Sequence, residues 1–357
     1  MTDRFTRKRD HIALCNDGEV GFRSHSGLFS ELQFVHNAMP ELAMDALDLR
    51  TKLLDSQLAA PIMVTGMTGG PEEAGEINRQ IARVCQDLGV AFGVGSQRVI
   101  TSEPDSLETF KIRSVAPDVA LFGNIGINQA RDMGVDVVRS LFAGIEADYM
   151  AVHLNPAMEL VQPGADADSD FTDGYDTIKR LVDAFDGRIL VKECGSGLSP
   201  QVIKRLGAAG VRAVDVSGGG GTSWVKVEAL RAEGQQAALG ETFAEWGIPT
   251  LAAVGLSRDI EGVQLVASGG VDDGLKAAKA LAMGATVAGC ARPVLQAFMR
   301  DGEDGAHSYL TTMISGVRMA MALTGVRTPA ELNGVPRVIG PQLERWLSQV
   351  DTSGDKG

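Results

Sequence analysis

The sequence predicts an α/β fold, a TIM (β/α)8 barrel with an N-terminal arm. Two observations point there. Eight short apolar runs, rich in β-branched residues, alternate with amphipathic segments of helical period; this is the pattern of parallel βαβ units. Polar residues and glycines follow all eight runs. A doubly wound open sheet gathers its Gly-rich phosphate loop at one switch point, whereas a barrel draws its site from the C-terminal ends of many strands. Closure into a barrel is therefore expected.

Residues 1–60 are too few for a second domain with its own core. They are expected to form an arm packed on or across the barrel, covering its mouth or reaching a neighbour. The barrel is expected over 61–340. PIMVT (61–65) leads into GMTGG (66–70), and the charged-apolar period of 72–89 predicts a helix. GVAFGV (89–94) precedes GSQR (95–98), and VALFGN (119–124) runs into NIG (124–126). DYMAVHL (148–154) ends in HLN (153–155), and RILVKE (188–193) ends in Lys-Glu before GSGLS (195–199), a turn into a helix. VRAVDVS (211–217) enters SGGGGTSW (217–224), VQLVASG (263–269) enters SGG (268–270), and TVAGCA (286–291) enters CARP (290–293). The long connection 225–262 is charged at first, and a partly mobile loop followed by a helix is expected. The segment 272–285 and the stretch after 305 are helical in period, and PAELNG starts a turn. A C-terminal tail is expected over 341–357, with DTSGDKG disordered.

The chain has 357 residues, 44% hydrophobic and 22% charged, ordinary for a globular protein. Its net charge of −13 speaks against nucleic-acid and anionic-membrane partners, and no run reaches the roughly 20 apolar residues that span a bilayer. Four cysteines at 15, 85, 194 and 290 form no zinc or disulfide spacing. A reducing, cytoplasmic setting is expected, and the polar N-terminus carries no apolar signal core.

The seventh and eighth strand ends of a barrel commonly bind a phosphate through backbone N–H groups. SGG and CAR stand there, although two tight turns would look the same. The four-glycine loop suits an anion nest, with Thr222 and Ser223 as added donors, or a flexible connection. Lys192 ends a buried-looking strand, where it either stabilises a negative ring system or developing charge or forms a structural ion pair with Glu193 or a neighbour. RKRDH (7–11) places three cations and a His in an acidic protein; it suits a diphosphate, or a solvated face. His153 beside Asn155 is a ligand candidate, whereas His25, His36 and His307 read as structural or solvated. Glu159 has the chemistry of a Mg2+ ligand, since Mg2+ often takes one or two protein carboxylates and leaves its other positions to water and phosphate.

In this order the motifs resemble the type II isopentenyl diphosphate isomerases, which are FMN-dependent barrel enzymes. The similarity spans residues 7–332. It comprises Arg7, Lys8, Asp10, His11 and Ile12; MTGG at 67–70; VGSQ at 94–97; HLN at 153–155; VKE at 191–193; GGTSW at 220–224; EWGI at 245–248; ASGG at 267–270; and ARP at 291–293. The resemblance implies FMN across the barrel mouth. Gly66, Met67, Thr68, Ser96, Asn124 and Lys192 would surround its ring, with Ser217 and Thr222 further along. Gly269, Gly270, Ala291 and Arg292 would hold its phosphate. Arg7 and Lys8 would bind the diphosphate, in the family from a neighbouring subunit, which implies a homo-oligomer, a tetramer or octamer. His11, Arg98, His153 and Asn155 would complete the substrate clamp, and Glu159 would hold Mg2+. NADPH would serve only to reduce the flavin. The implied reaction moves the double bond of isopentenyl diphosphate to give dimethylallyl diphosphate.

Two features depart from the family. It reads HLNxxQE, with a Gln thought to assist proton transfer at the alkene; here Met158 takes that place, and a thioether cannot relay a proton. The family's QPEGD is here QPGADAD (162–168). Met158 thus belongs among the catalytic candidates with His153, Asn155 and Lys192. Three readings stand: an isomerase in which flavin does the proton work; a repurposed flavin enzyme acting on another prenyl diphosphate or related alkene, by cyclisation or reduction for example; and a silent ligand-binding regulator, against which Lys192, Glu159 and the cationic cluster argue.

Overall fold

A computed structural model describes residues 4–66, 68–162 and 168–350, with backbone alone for residues 4–7 and 17. Eight parallel strands close into a barrel: β1 (Ile62–Val64), β2 (Ala91–Gly93), β3 (Leu121–Gly126), β4 (Tyr149–Leu154), β5 (Ile189–Glu193), β6 (Ala213–Asp215), β7 (Gln264–Ala267) and β8 (Val287–Cys290). Each pairs with its chain neighbours, and β8 closes on β1 through the register Gly289↔Met63. Every expected strand is present, within a few residues of its expected ends.

Alternation along the strands divides the apolar residues between two clusters. Met63, Ala91, Phe122, Ala151, Leu190, Ala213, Val266 and Val287 fill the barrel interior. Ile62, Val64, Phe92, Leu121, Val152, Val191 and Val214 point outward into the helical layer. A hairpin of Thr51–Leu53 with Ser56–Leu58 plugs the bottom, adding Leu53, Leu54 and Leu58 to the interior. Tyr149 anchors it by accepting from the Asp55 N–H at 3.1 Å and lying 2.9 Å from the Ser56 hydroxyl. With that end sealed, the open end is the C-terminal face.

The helix expected over 72–89 forms at Glu72–Leu88 and ends in Gly89, whose φ of 62° is the left-handed cap that glycine favours. GSGLS leads into Pro200–Ala208, capped by Ser199. The segment 225–262 differs from expectation. Instead of a loop and one helix it contains helices Trp224–Ala229, Gly234–Thr242 and Thr250–Ser257. Ser223 caps the first by accepting from the Lys226 N–H at 3.1 Å. Two of its cations have partners: Lys226 pairs with Glu241 and Arg231 with Glu228.

The N-terminal segment forms a helix at Arg4–Asp17. Its strand Leu32–Phe34 pairs antiparallel with Arg337–Ile339, so both ends of the chain meet on one side. Residues 341–349, expected in a tail, form a helix with Leu343 buried. A short apolar period after a Pro start was the signal for it. Residues 351–357, expected to be disordered, lie outside the described residues. The helix Arg292–Thr324 is broken at Asp301 and Gly302. Among the described residues no helix is long and apolar enough to cross a membrane.

Candidate functional site

A cavity of about 450 Å3 opens at the C-terminal ends of the strands, a size usual for small-molecule and cofactor sites. Gly66, Thr68, Ser96, Arg98, Asn124, His153, Asn155, Met158, Glu159, Lys192, Ser217, Thr222, Gly269, Gly270, Ala291 and Arg292 all line it, as do Lys8 and His11. Met67 lies outside the described residues, as do residues 163–167 of the altered QPGADAD loop. Arg7 falls in the N-terminal helix, with its side chain outside the description.

The near wall is built by close backbone approach. A Cβ on Gly66 would stand 2.5 Å from Asn124 Nδ2, and one on Gly95 would stand 2.7 Å from the Thr68 backbone. Asn124 donates to the Val94 carbonyl at 3.1 Å, and its Oδ1 lies 2.8 Å from His153 Nδ1. At the base, Lys192 donates to the Glu193 carbonyl at 2.6 Å. Burial works against its ammonium, but Cys194, Asp215 and Glu193 outweigh it and hold the lysine above its usual value. Asp215, opposite Lys192 across the β5–β6 register, is raised by burial while Lys192 and the Ser268 hydroxyl, 2.7 Å away, favour its charged form. Lys192 therefore keeps its positive charge at the cavity base, with Asp215 beside it on the neighbouring strand.

The far wall is a glycine cradle. Gly269 and Gly270 have φ of 100° and 78°, and a Cβ on Gly221 would meet the Gly270 nitrogen at 2.5 Å. Only backbones without side chains let these two loops pass this close; the helix that begins at Arg292 lines the same cavity, and its free N–H groups and dipole favour an anion. Cradle, half-buried cation and cavity size together fit a flavin mononucleotide, with the phosphate at Gly269, Gly270 and Ala291 and the ring near Lys192. Arg292 departs from its expected role: its guanidinium donates to the carbonyls of Cys15 and Gly18, both at 2.7 Å, and so ties the N-terminal helix to the cradle.

That helix covers the mouth of its own barrel. His11 Nε2 lies 2.8 Å from Glu228, and the ring stands edge-on to Trp224 at 5.1 Å. Glu228 also receives Arg231 at 2.7 Å, and Arg231 reaches Asp10 at 3.2 Å. Burial raises the Glu228 carboxyl, but His11 and Arg231 overcome it and leave it below the usual value. Glu228 escaped sequence analysis because it sits in a charged run that read as solvated.

On the third side, Asn155 donates to Glu159 at 2.9 Å, and the Asp168 N–H donates to the same carboxylate at 3.2 Å. Met158 Sδ lies 3.5 Å from Asn155 Nδ2. Among the described residues no group of three or more His, Cys, Asp or Glu residues is arranged to hold a metal. The Glu159 carboxylate is compatible with Mg2+ where phosphate and water supply further ligands.

Residues 148–336 match the FMN-dependent dehydrogenase family model. The chain is 41% identical over 323 residues to an isopentenyl-diphosphate delta-isomerase from Nostoc sp., covering 90% of this chain and 91% of the relative. It is 38% identical to the enzyme of the same name from Pyrococcus furiosus, covering 96% and 89%. Among solved structures, a mandelate oxidase variant carrying a monooxide FMN adduct superposes with a TM-score of 0.64 at 16% identity, covering 90% of this chain and 94% of the other. A flavocytochrome b2 variant superposes at 0.67 and 19% identity, covering 91% and 80%. These two establish likeness of fold.

Proposed function

The chain belongs to the type II isopentenyl diphosphate delta-isomerase family, and on that premise we propose that it converts isopentenyl diphosphate to dimethylallyl diphosphate for isoprenoid biosynthesis, with FMN in the barrel mouth. One observation carries the reading. The described residues matching the family's cofactor and substrate motifs, from all eight strand ends and from the N-terminal helix, converge on one cavity.

When bound and reduced, FMN supplies an electron-rich ring able to exchange protons with an alkene; NADPH serves as its reductant. The protein's own residues do the rest. The reaction adds a proton at one carbon and removes one from another, with no net change of oxidation state. Lys192 keeps a positive charge at the cavity base. Lys8 and Arg98 would meet the diphosphate, with Arg7 expected beside Lys8, and Glu159 would hold Mg2+, which would offset the charge of the diphosphate. His153 and Asn155 orient the substrate between these groups, and the N-terminal helix excludes water. A homo-oligomer, tetramer or octamer, is the assembly this reading carries. The domain reading remains an arm at 1–60, an FMN-binding barrel at 61–340 and a terminal segment at 341–357.

A second reading, the same FMN and diphosphate site acting on a different prenyl diphosphate or related alkene, is favoured by Met158, which lines the cavity and cannot relay a proton. The test is anaerobic incubation with FMN, NADPH, Mg2+ and isopentenyl diphosphate in D2O. Deuterated dimethylallyl diphosphate is expected. Bound FMN with no product would select the second reading, and failure to bind micromolar FMN would overturn both.

A further inference from the structure

We propose that the Gln162 side-chain amide is a substrate contact, donating its N–H to an anionic oxygen of the diphosphate; this rests on the diphosphate reading above. Gln162 is 3% exposed and lines the cavity. Its Nε2 is buried without a hydrogen-bond partner. Six buried side-chain atoms are orphaned in this way among the described residues, and of their residues only Gln162 borders the cavity. A buried donor left unpaired is costly, so an unpaired donor on a residue that lines the cavity points to a partner that arrives with the ligand.

The backbone explains why Gln162 stands beside the cavity. The Gln162 N–H donates to the Met158 carbonyl at 2.9 Å, which extends the short helix Pro156–Glu159 by one turn. Residues four apart share a helix face, so Gln162 follows Met158 onto the cavity side, one turn beyond the Glu159 carboxylate. Solvent is kept out from behind by the helix Gly234–Thr242. Its Gly240 packs so closely that a Cβ there would stand 2.8 Å from Val161.

The identity of the acceptor follows from the substrate's chemistry. A prenyl chain offers no hydrogen-bond acceptor, and the neighbouring Met158 thioether is a poor one. The only strong acceptors the substrate brings are its diphosphate oxygens, and an amide N–H to an anionic oxygen is among the stronger neutral-to-charged hydrogen bonds.

Calorimetric titration of the FMN-loaded protein with inorganic pyrophosphate and Mg2+ tests this. Gln162→Met keeps length and volume but removes the donor; affinity is expected to fall roughly tenfold or more, with the flavin absorbance spectrum unchanged. Gln162→Glu keeps the shape and puts negative charge where the donor was, so a larger loss is expected. Unchanged pyrophosphate affinity in both variants, or loss of FMN in step with pyrophosphate, overturns the assignment of Gln162. Failure of the wild-type protein to bind pyrophosphate overturns the diphosphate reading itself.

Discussion

His153 Nδ1 lies 2.8 Å from Asn124 Oδ1, joining the ends of two adjacent strands across the cavity wall. The Asn124 amide nitrogen is already committed to the Val94 carbonyl, so its oxygen must face the imidazole. This assigns the His153 proton to Nδ1 and sets the orientation of the ring. Asn124→Asp would turn a carboxylate oxygen toward the Val94 carbonyl. It is expected to lower stability by about 1–3 kcal/mol, read as a lower midpoint of urea unfolding with an unchanged slope.

Arg292 links the cradle to the N-terminal helix through the Cys15 and Gly18 carbonyls. Arg292→Ala should release that helix while leaving the barrel folded. Limited proteolysis is expected to cut within the first 20 residues at least tenfold faster, since hydrogen bonds from a charged group contribute about 1.5–3 kcal/mol each. An unchanged cleavage rate would mean that the other contacts, among them His11 with Glu228 and Arg231 with Asp10, suffice to hold the helix.

Glu193 gives a pH signature. Burial pushes its carboxyl up to about 7, against the backbone N–H groups of Ser196, Cys194 and Gly197 and the Lys192 ammonium, which favour the charged form. The folded state thus binds a proton that the unfolded state has lost between about pH 4.5 and 7. The stabilisation from this group is complete below about 4.5 and disappears as pH rises through about 7. Glu193→Gln removes the titration. The stability of the wild type relative to this variant should therefore fall across that window, by on the order of 1–3 kcal/mol, in melts at matched pH.

Met158 faces the cavity beside Asn155. Met158→Gln restores an amide at that place. If the wild type is a slowed isomerase, its turnover of isopentenyl diphosphate should rise about tenfold or more. A flat response, or loss of another activity, would assign residue 158 to a different reaction.

Much of this was readable along the chain. Strand positions followed from β-branched apolar runs such as RILVKE, and the rim residues from the polar and glycine positions just after them, because strand period and turn chemistry are local properties. The family motifs added the division between a phosphate cradle at Gly269 and Gly270 and a substrate side at His153 and Asn155. The stretch 225–262 was less legible. Its charges resemble a solvated loop until Lys226 and Arg231 are seen to have partners.

By itself, then, the sequence determined the barrel, the order of its strands and the side chains placed at its open end, since each depends on residues a few positions apart. Tertiary structure alone decided that His11 meets Glu228 across 217 positions of chain, that Arg292 fastens the N-terminal helix, and that the Gln162 amide nitrogen is buried without a partner beside the cavity. Those outcomes depend on which desolvated groups are brought together when distant segments pack, and hydrophobic periodicity carries no record of such pairings.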